Sequence, residues 1–329
     1  MASFKIYKLN FTTPVHFGNA RSDYSVSLTT IQSDTMYAAI ISCIAKLGYP
    51  IPENGDIGCV ISSLFPFYQK TEGQDSTYFF PKPLKAETLG KESVESAKRI
   101  KRVSWLDKDY FDKAINGKPL FHSDEALADI KAGKYLTSKK IMETKDDHIS
   151  TFSESPRVKI HKDPRKDSEP FFMERVYFND CSGLFFLADG DTTLLDKGME
   201  LLQHEGLGTD RNVGNGFFEY SKAEICLETP DDCQYAMSLS TFIPESEDQT
   251  KRLLSGEHAA YELLRRGGWI TSFPYNRLRK NSIYAFSAGS IFFMDDAPCH
   301  KGCIIDLSPE NVSHPVWRNG KAIFIPIKI

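Results

Sequence analysis

Apolar and polar positions change period several times along the chain. Phe4, Ile6, Leu9 and Phe11, with Tyr7 among them, predict a strand over Phe4–Phe11. It ends at Pro14-Val15-His16-Phe17-Gly18. After a polar stretch, Met36, Ala39, Ile40, Cys43, Ile44 and Leu47 recur at helical spacing and predict a helix buried on one side. Ser33 suits its N-cap, Asp34 suits its first turn, and Gly48 and Pro50 end it. Leu64-Phe65-Pro66-Phe67-Tyr68 and Phe79-Phe80-Pro81-Lys82-Pro83 read as short extended pieces. Residues 86–150, rich in lysine and acid, read as a helical, peripheral insertion. Arg157–Ile160 and Phe171–Phe178 predict the arms of a long hairpin with a polar tip, His161–Pro170. Gly183–Leu187 predicts a buried strand, Thr192–His204 a helix with Leu194, Leu195, Gly198, Met199 and Leu202 on one face, and Phe217–Cys226 a further strand. The order strand, helix, strands, helix, strand is that of a ferredoxin-like fold.

The length of 329 residues suits two domains, and the pattern places the start of a second one near Asp231. There Tyr235–Phe242 reads as a strand and Gly256–Arg266 as a helix. Trp269–Ser272, Ser282–Phe286 and Ser290–Phe293 follow as strands. His314–Pro326 reads as a hairpin around Asn319-Gly320, with Pro326 confining its strand to an edge or an end.

Composition adds little to the fold and more to the setting. No apolar run approaches the length that spans a bilayer, and Met1-Ala2-Ser3-Phe4-Lys5 lacks the apolar core of a signal peptide, so a cytoplasmic protein without membrane contact is expected. Seven widely spread cysteines suit reduced thiols rather than a disulfide framework. Cys299-His300-Lys301-Gly302-Cys303 lacks a second ligand pair, so neither a metal nor another cofactor is expected. The net charge of −4 argues against a bulk nucleic-acid coat protein. Charge is segregated, however. Acids cluster at 125–129, 189–196, 228–232 and 245–248, and bases at 98–102, 157–166 and 277–280. Such runs are either solvated surface or separate faces for a polyanion and a protein partner.

Gly206-Leu207-Gly208-Thr209-Asp210-Arg211-Asn212-Val213-Gly214-Asn215-Gly216 stands out chemically. It is no Walker loop, because it lacks Gly-Lys-Ser/Thr. It is no dinucleotide fingerprint, because it joins a helix to a following strand. Glycines at positive φ can expose successive amides to an anion, and Arg211 adds a planar charged fork. The same glycines also suit a helix cap, at Gly206, followed by a β-bulge.

Several segments together resemble the RAMP proteins of CRISPR–Cas effectors, most closely the fourth Csm subunit of type III-A complexes. The likeness lies in His16-Phe17-Gly18, in Ser33-Asp34-Thr35-Met36-Tyr37-Ala38-Ala39, and in Leu64-Phe65-Pro66-Phe67 ahead of Phe80-Pro81-Lys82-Pro83. It continues in Gly206–Phe217, in Arg279–Ser290 and in His314-Pro315-Val316. The resemblance implies an α+β chain of two ferredoxin-like (RRM-like) domains, at 1–230 and 231–329, with a glycine-rich loop and a β-hairpin thumb near 157–172. It implies a non-catalytic subunit of an antiviral ribonucleoprotein that binds the 5′ tag of the crRNA. Its neighbours would be the large polymerase-like subunit and the backbone RAMP subunit, with target RNA reached through the complex. The RNA-binding candidates are His16, Phe17, Gly18, Ser33, Lys82, Arg157, Lys159, His161, Gly206, Gly208, Arg211, Asn212, Gly214, Gly216 and Lys280. His16, Phe17 and Phe80 are either base-stacking groups or core. Asp210 departs from what a phosphate loop wants and leaves Arg211 with more of the task. The alternative is a CRISPR-RNA-processing endoribonuclease with His16 and His161 as its acid and base, although no histidine pair has diagnostic spacing.

Overall fold

The computed structural model describes residues 1–18, 24–85, 94–121, 127–144, 147–160, 163, 165, 167–294 and 300–329. Strand β1 (Ala2–Phe11) lies between β10 (Gly183–Gly190) and β11 (Phe218–Leu227), antiparallel to both. Strands β2 (Cys59–Ile61) and β3 (Phe65–Tyr68) pair in turn with β10, again antiparallel. Both faces of β1 are covered, as its dense apolar text requires. Tyr7, Leu9 and Phe11 join one core, and Phe4 and Ile6 join another on the opposite face, as the period of 2 dictates.

The first core is roofed by α1 (Ser33–Lys46) and by the helix over Thr193–Glu205, here α4. They approach closely at Gly198, where an added Cβ would lie 2.7 Å from Ile40 Cγ2. Ser33 does not cap α1. The N-cap is Gln32, without a side-chain hydrogen bond, and Ser33 ties the helix start to distant residues instead: its amide donates to Ser63 Oγ, and its hydroxyl accepts from the Thr241 amide.

The insertion after β3 is not peripheral and only partly helical. Strand β4 (Thr77–Pro81) extends the sheet beside β3, followed by β5 (Trp105–Asp107), β7 (Tyr135–Leu136) and β6 (Ile130–Lys131). Helices α2 (Val94–Arg102) and α3 (Lys108–Ile115) belong to it. Phe80 stacks on Phe111 with ring centroids 4.6 Å apart, and both are fully buried with Leu106 and Leu136. These apolar words are too short to register within a charge-rich text. Strands β8 (Ser150–Lys159) and β9 (Glu169–Phe178) form the expected hairpin, longer in its first arm, and Val176 bridges Val15 at its base.

A second sheet orders β15 (Ile291–Phe293), β12 (Tyr235–Ser238), β19 (Ala322–Ile327) and β16 (His300–Lys301). Its helix is α5 (Glu247–Leu254), capped by Ser246, whose hydroxyl accepts from the Gln249 amide. Gly256–Arg266 is therefore not a helix. Its end is β13 (Leu263–Arg266), paired with β14 (Ile283–Phe286). Trp269–Ser272 forms only a single bridge, Trp269 to Arg279. Asn319-Gly320 does not turn a hairpin either. Strand β18 (Trp317–Asn319) pairs with β17 (Ile304–Asp306), whereas β19 pairs with β12 and β16. Pro326 faces Ala236, while the described part of β16 pairs with Ala322 and Ile323 on the other side, so among the described residues the missing N–H faces no strand. The second sheet shares a core with the first: Met237, Ile323 and Ile325 pack with Ile6, Phe185 and Phe111.

Candidate nucleic-acid interface

The glycine loop is folded onto the segment after β1. Gly206 closes α4 at φ 77°, and its amide donates to the Leu202 carbonyl. Thr209 N–H donates to the His16 carbonyl and Gly216 N–H to the Pro14 carbonyl, both at 2.9 Å. Gly208 sits at φ +93°, where a Cβ would come within 2.5 Å of the His16 carbonyl oxygen. A Cβ on Gly216 would collide with the Leu207 carbonyl oxygen. The two glycines thus let backbone segments touch. The amides of Gly206, Leu207, Thr209, Val213, Gly214, Asn215, Gly216 and Phe217 already donate within the protein. Most of the loop is therefore no bare amide cradle, and any ligand must meet its outward side chains.

Those side chains are Asp210, Arg211 and Asn212, at a 3-10 turn over Arg211–Val213. With His204, Glu205, Gly208 and Phe217 they line an open depression of about 500 Å³. Arg211 Nη1 donates to the Gly206 carbonyl at 3.4 Å. Gly214, at φ +88°, faces open space, and a Cβ there would meet nothing within 4 Å. Asp210 has a partner that the chain order hides. Arg157 Nη2 of β8 lies 3.6 Å from its Oδ2, so the acid ties the hairpin to the loop.

His16 is buried, and its Nδ1–H donates to the Glu174 carbonyl of β9 at 2.7 Å. The Glu174 carboxylate accepts from Ser27 N–H, and Ser27 Oγ accepts from Phe17 N–H. Phe17 is buried edge-on against Phe11. Neither ring, nor Phe80, is exposed for base stacking, so the core alternative holds for all three. Exposed apolar groups instead line the hairpin: Phe152, Val158, Phe172 and, at 80% exposure, Ile160. Gly18 is exposed, and Lys159 pairs across the hairpin with Glu169 at 3.0 Å. His161 lies outside the described residues. Lys82 sits apart in a groove with Lys85, Lys101 and Trp105, and its Nζ donates to the Ile100 carbonyl.

Ser33 and Lys280 belong to a different cluster, centred on Asp34. This carboxylate is not a solvated first-turn acid but is fully buried. Its Oδ2 accepts from Arg266 Nε and from Arg318 Nη1, each at 2.7 Å, and its Oδ1 accepts from Arg266 Nη2 at 3.0 Å. Burial alone would raise its pKa, but Arg318 and Arg266 reverse this and hold the carboxyl below its ordinary value. Burial, with Arg318 and Arg266, pushes the Lys280 ammonium down to about 8. Arg266 and Arg318 are more than 230 positions from Asp34, and only its place at the start of an apolar helix hinted at a buried acid. Among the described residues no group of three His, Cys, Asp or Glu is placed to hold a metal ion, and no helix is long and apolar enough to cross a membrane.

Residues 231–327 match the family model of the CRISPR Csm4 C-terminal domain. The whole chain is similar to curated CRISPR system Cms protein Csm4 sequences. One from Mycobacterium tuberculosis (strain CDC 1551 / Oshkosh) is 26% identical over 333 residues, covering 98% of this chain and 97% of the relative. One from Streptococcus thermophilus is 25% identical over 344 residues, covering 99% and 100%. Residues 231–327 carry the Csm4 C-terminal domain, and the matches along the whole chain support a Csm4 RAMP-type protein. Its fold agrees with this. A chain in the crystal structure of a Csm3-Csm4 subcomplex of the type III-A CRISPR-Cas interference complex matches with TM-score 0.64 at 19% identity, covering 100% of both chains. A chain of a Csm1-Csm4 cassette crystallised with cA4 matches with TM-score 0.59 at 20% identity, covering 100% and 99%. The family's α+β architecture with a large mixed sheet is the one found here.

Proposed function

We propose that the chain is a non-catalytic subunit of a type III-A CRISPR interference complex that binds the 5′ tag of the crRNA. Its partners are then the large polymerase-like subunit and the backbone RAMP subunit, in keeping with the Csm1-Csm4 and Csm3-Csm4 assemblies of structurally similar chains. Target RNA is met only through the complex.

The observation that carries this reading is one convergence. The His16 segment, the Gly206–Gly216 loop and the base of the hairpin meet through Thr209–His16, Asp210–Arg157 and His16–Glu174 contacts. The order β11-β1-β10, with β2 and β3 both pairing with β10 and all antiparallel, fits a ferredoxin-like sheet, an RNA-binding scaffold in its RRM form. In the second sheet β12 lies between β15 and β19, as β1 lies between β10 and β11, and α5 packs beside it. The hairpin serves as the thumb, with exposed Phe152, Phe172 and Ile160 for contact with unstacked bases. Arg211 and Asn212 line the open depression, Gly214 leaves space beside it, and Arg157 and Lys159 add charge from the hairpin. The nuclease alternative is weaker here, because His16 is buried with its Nδ1–H committed to a carbonyl.

The test is Arg211→Glu in the assembled complex, titrated with labelled RNA carrying or lacking the repeat-derived tag. The reading expects at least a tenfold loss of affinity for the tagged RNA. Unchanged tag affinity would refute the assigned interface.

A further inference from the structure

Where α1 meets β13 and β18, two guanidinium groups and a nearby ammonium gather at one carboxylate. Arg266 ends β13 and Arg318 lies in β18, and both are fastened to Asp34. Lys280 joins them from the loop between β13 and β14, held by its amide hydrogen bond to the Gly268 carbonyl at 3.0 Å. Arg318 Nη2 donates to the Gly267 carbonyl at 3.3 Å, in the same loop, and the Lys280 ammonium has no hydrogen-bond or ion-pair partner among the described residues. Arg318 has a side-chain exposure of 4%, yet its Nε is buried without a partner. Native interiors seldom leave such a donor unpaired. The cluster therefore carries two positive charges in excess.

We propose that Arg266, Lys280 and Arg318 form a phosphate seat beside the start of α1, filled by a backbone phosphate of the bound RNA. The RNA source rests on the proposed function, whereas the seat itself rests on the charge imbalance. The start of α1 is not the ligand here. Its Ser33 amide donates to Ser63 Oγ, and its Thr35 and Met36 amides donate to the Gln32 carbonyl. The cations supply the recognition. Guanidinium forks and an ammonium suit the several oxygens of a phosphate, and one phosphodiester neutralises half of the excess charge. The loop beside the seat is open: a Cβ on Gly268 would meet only Lys280 Cε, at 4.0 Å. The same loop stacks Arg279 on Trp269, 5.0 Å from the ring centroid. A base next to that phosphate would find an aromatic and a cationic neighbour, which favours nucleic acid as the source.

Lys280→Met tests the seat without touching the Asp34 ion pairs, and Lys280→Arg is the conservative control. In the first arm the full chain is heated at pH 7 in sodium phosphate and in sodium chloride of equal ionic strength. Phosphate should raise the parent's unfolding midpoint by about 2 °C, and Lys280→Arg should keep this shift while Lys280→Met loses it. In the second arm the assembled complex is titrated with tagged RNA across salt. Lys280→Met should bind about tenfold more weakly, with the slope of log K against log salt reduced by about 0.7, the share of one single-strand phosphate. Loss of the phosphate shift with unchanged RNA binding supports the seat but overturns RNA as its occupant. An equal phosphate shift in parent and Lys280→Met overturns the seat. A parent complex that ignores the tag defeats the proposed function, while the phosphate arm still decides the seat.

Discussion

Asp34→Asn removes a charge and almost no volume from the contact of α1 with β13 and β18. The parent carboxylate is fully buried and accepts three hydrogen bonds from two guanidinium groups. Charge-assisted bonds are worth about 1.5–3 kcal/mol each, but a sum of three overstates a shared carboxylate. The better guide is the cost of breaking a buried ion pair from one side, about 3–5 kcal/mol, because a charge is left without its partner. Arg266 retains 19% side-chain exposure and rehydrates more readily than Arg318 at 4%. Stranded Arg318 therefore accounts for most of the loss, and Asp34→Asn should lose about 3–4 kcal/mol in equilibrium urea unfolding. Combining Asp34→Asn with Arg318→Met removes both charges and should recover about half of that deficit. The pH dependence has a fixed sign. The folded carboxyl lies below its ordinary value of 3.8, so its stabilisation is present above that value and is lost as pH falls through the lower, folded one. Asp34→Asn should flatten this acid limb. A loss below about 1 kcal/mol for Asp34→Asn, or a double variant less stable than the single one, would refute the reasoning.

Other outcomes follow from single contacts. Gly208→Ala should disorder the loop and cost about 2–3 kcal/mol, through both positive φ and the His16 carbonyl, whereas Gly214→Ala, with open space around it, should cost about 1 kcal/mol; urea midpoints of the pair decide this. Phe80→Ala should lose about 3–5 kcal/mol as a core truncation against Phe111, and a fully stable variant with weakened RNA binding would return Phe80 to the interface. Burial pushes the Cys43 thiol to about 11 and the Cys59 thiol to about 12. Iodoacetamide at pH 8 should therefore label exposed Cys226 in the native chain and reach Cys43 and Cys59 only after unfolding, as peptide mass spectrometry would show.

The first sheet was readable because its elements carry long periodic signals. β1, α1, α4, β11 and the hairpin lie where Phe4–Phe11, Met36–Leu47, Thr192–His204, Phe217–Cys226 and the two polar-tipped arms placed them. The insertion was misread because β5, β6 and β7 are only two or three residues long. Their burial depends on neighbours far away in the chain. In the C-terminal part, Gly256–Arg266 has mixed spacing, and pairing between β13 and β14 overrode its helical text. Asn319-Gly320 is a turn signal spent on a crossing between sheets, where Gly320 packs against Ile243. At the candidate interface the glycine loop was legible as a special backbone, but its first use is close contact with the His16 segment. The Asp210–Arg157 pair and the Asp34 cluster join residues whose separation in sequence leaves no periodic trace.

The proposed function has this chain hold the crRNA tag against the glycine loop and the hairpin. It is tested most directly by assembling the complex on crRNA with 4-thiouridine in the tag, irradiating it, and mapping the crosslinked peptides by mass spectrometry. Crosslinks are expected within 150–178 and 206–217 of this chain, lost when the label moves from the tag into the distal guide. Tag crosslinks confined to other subunits, or to surfaces of this chain remote from both segments, would contradict it.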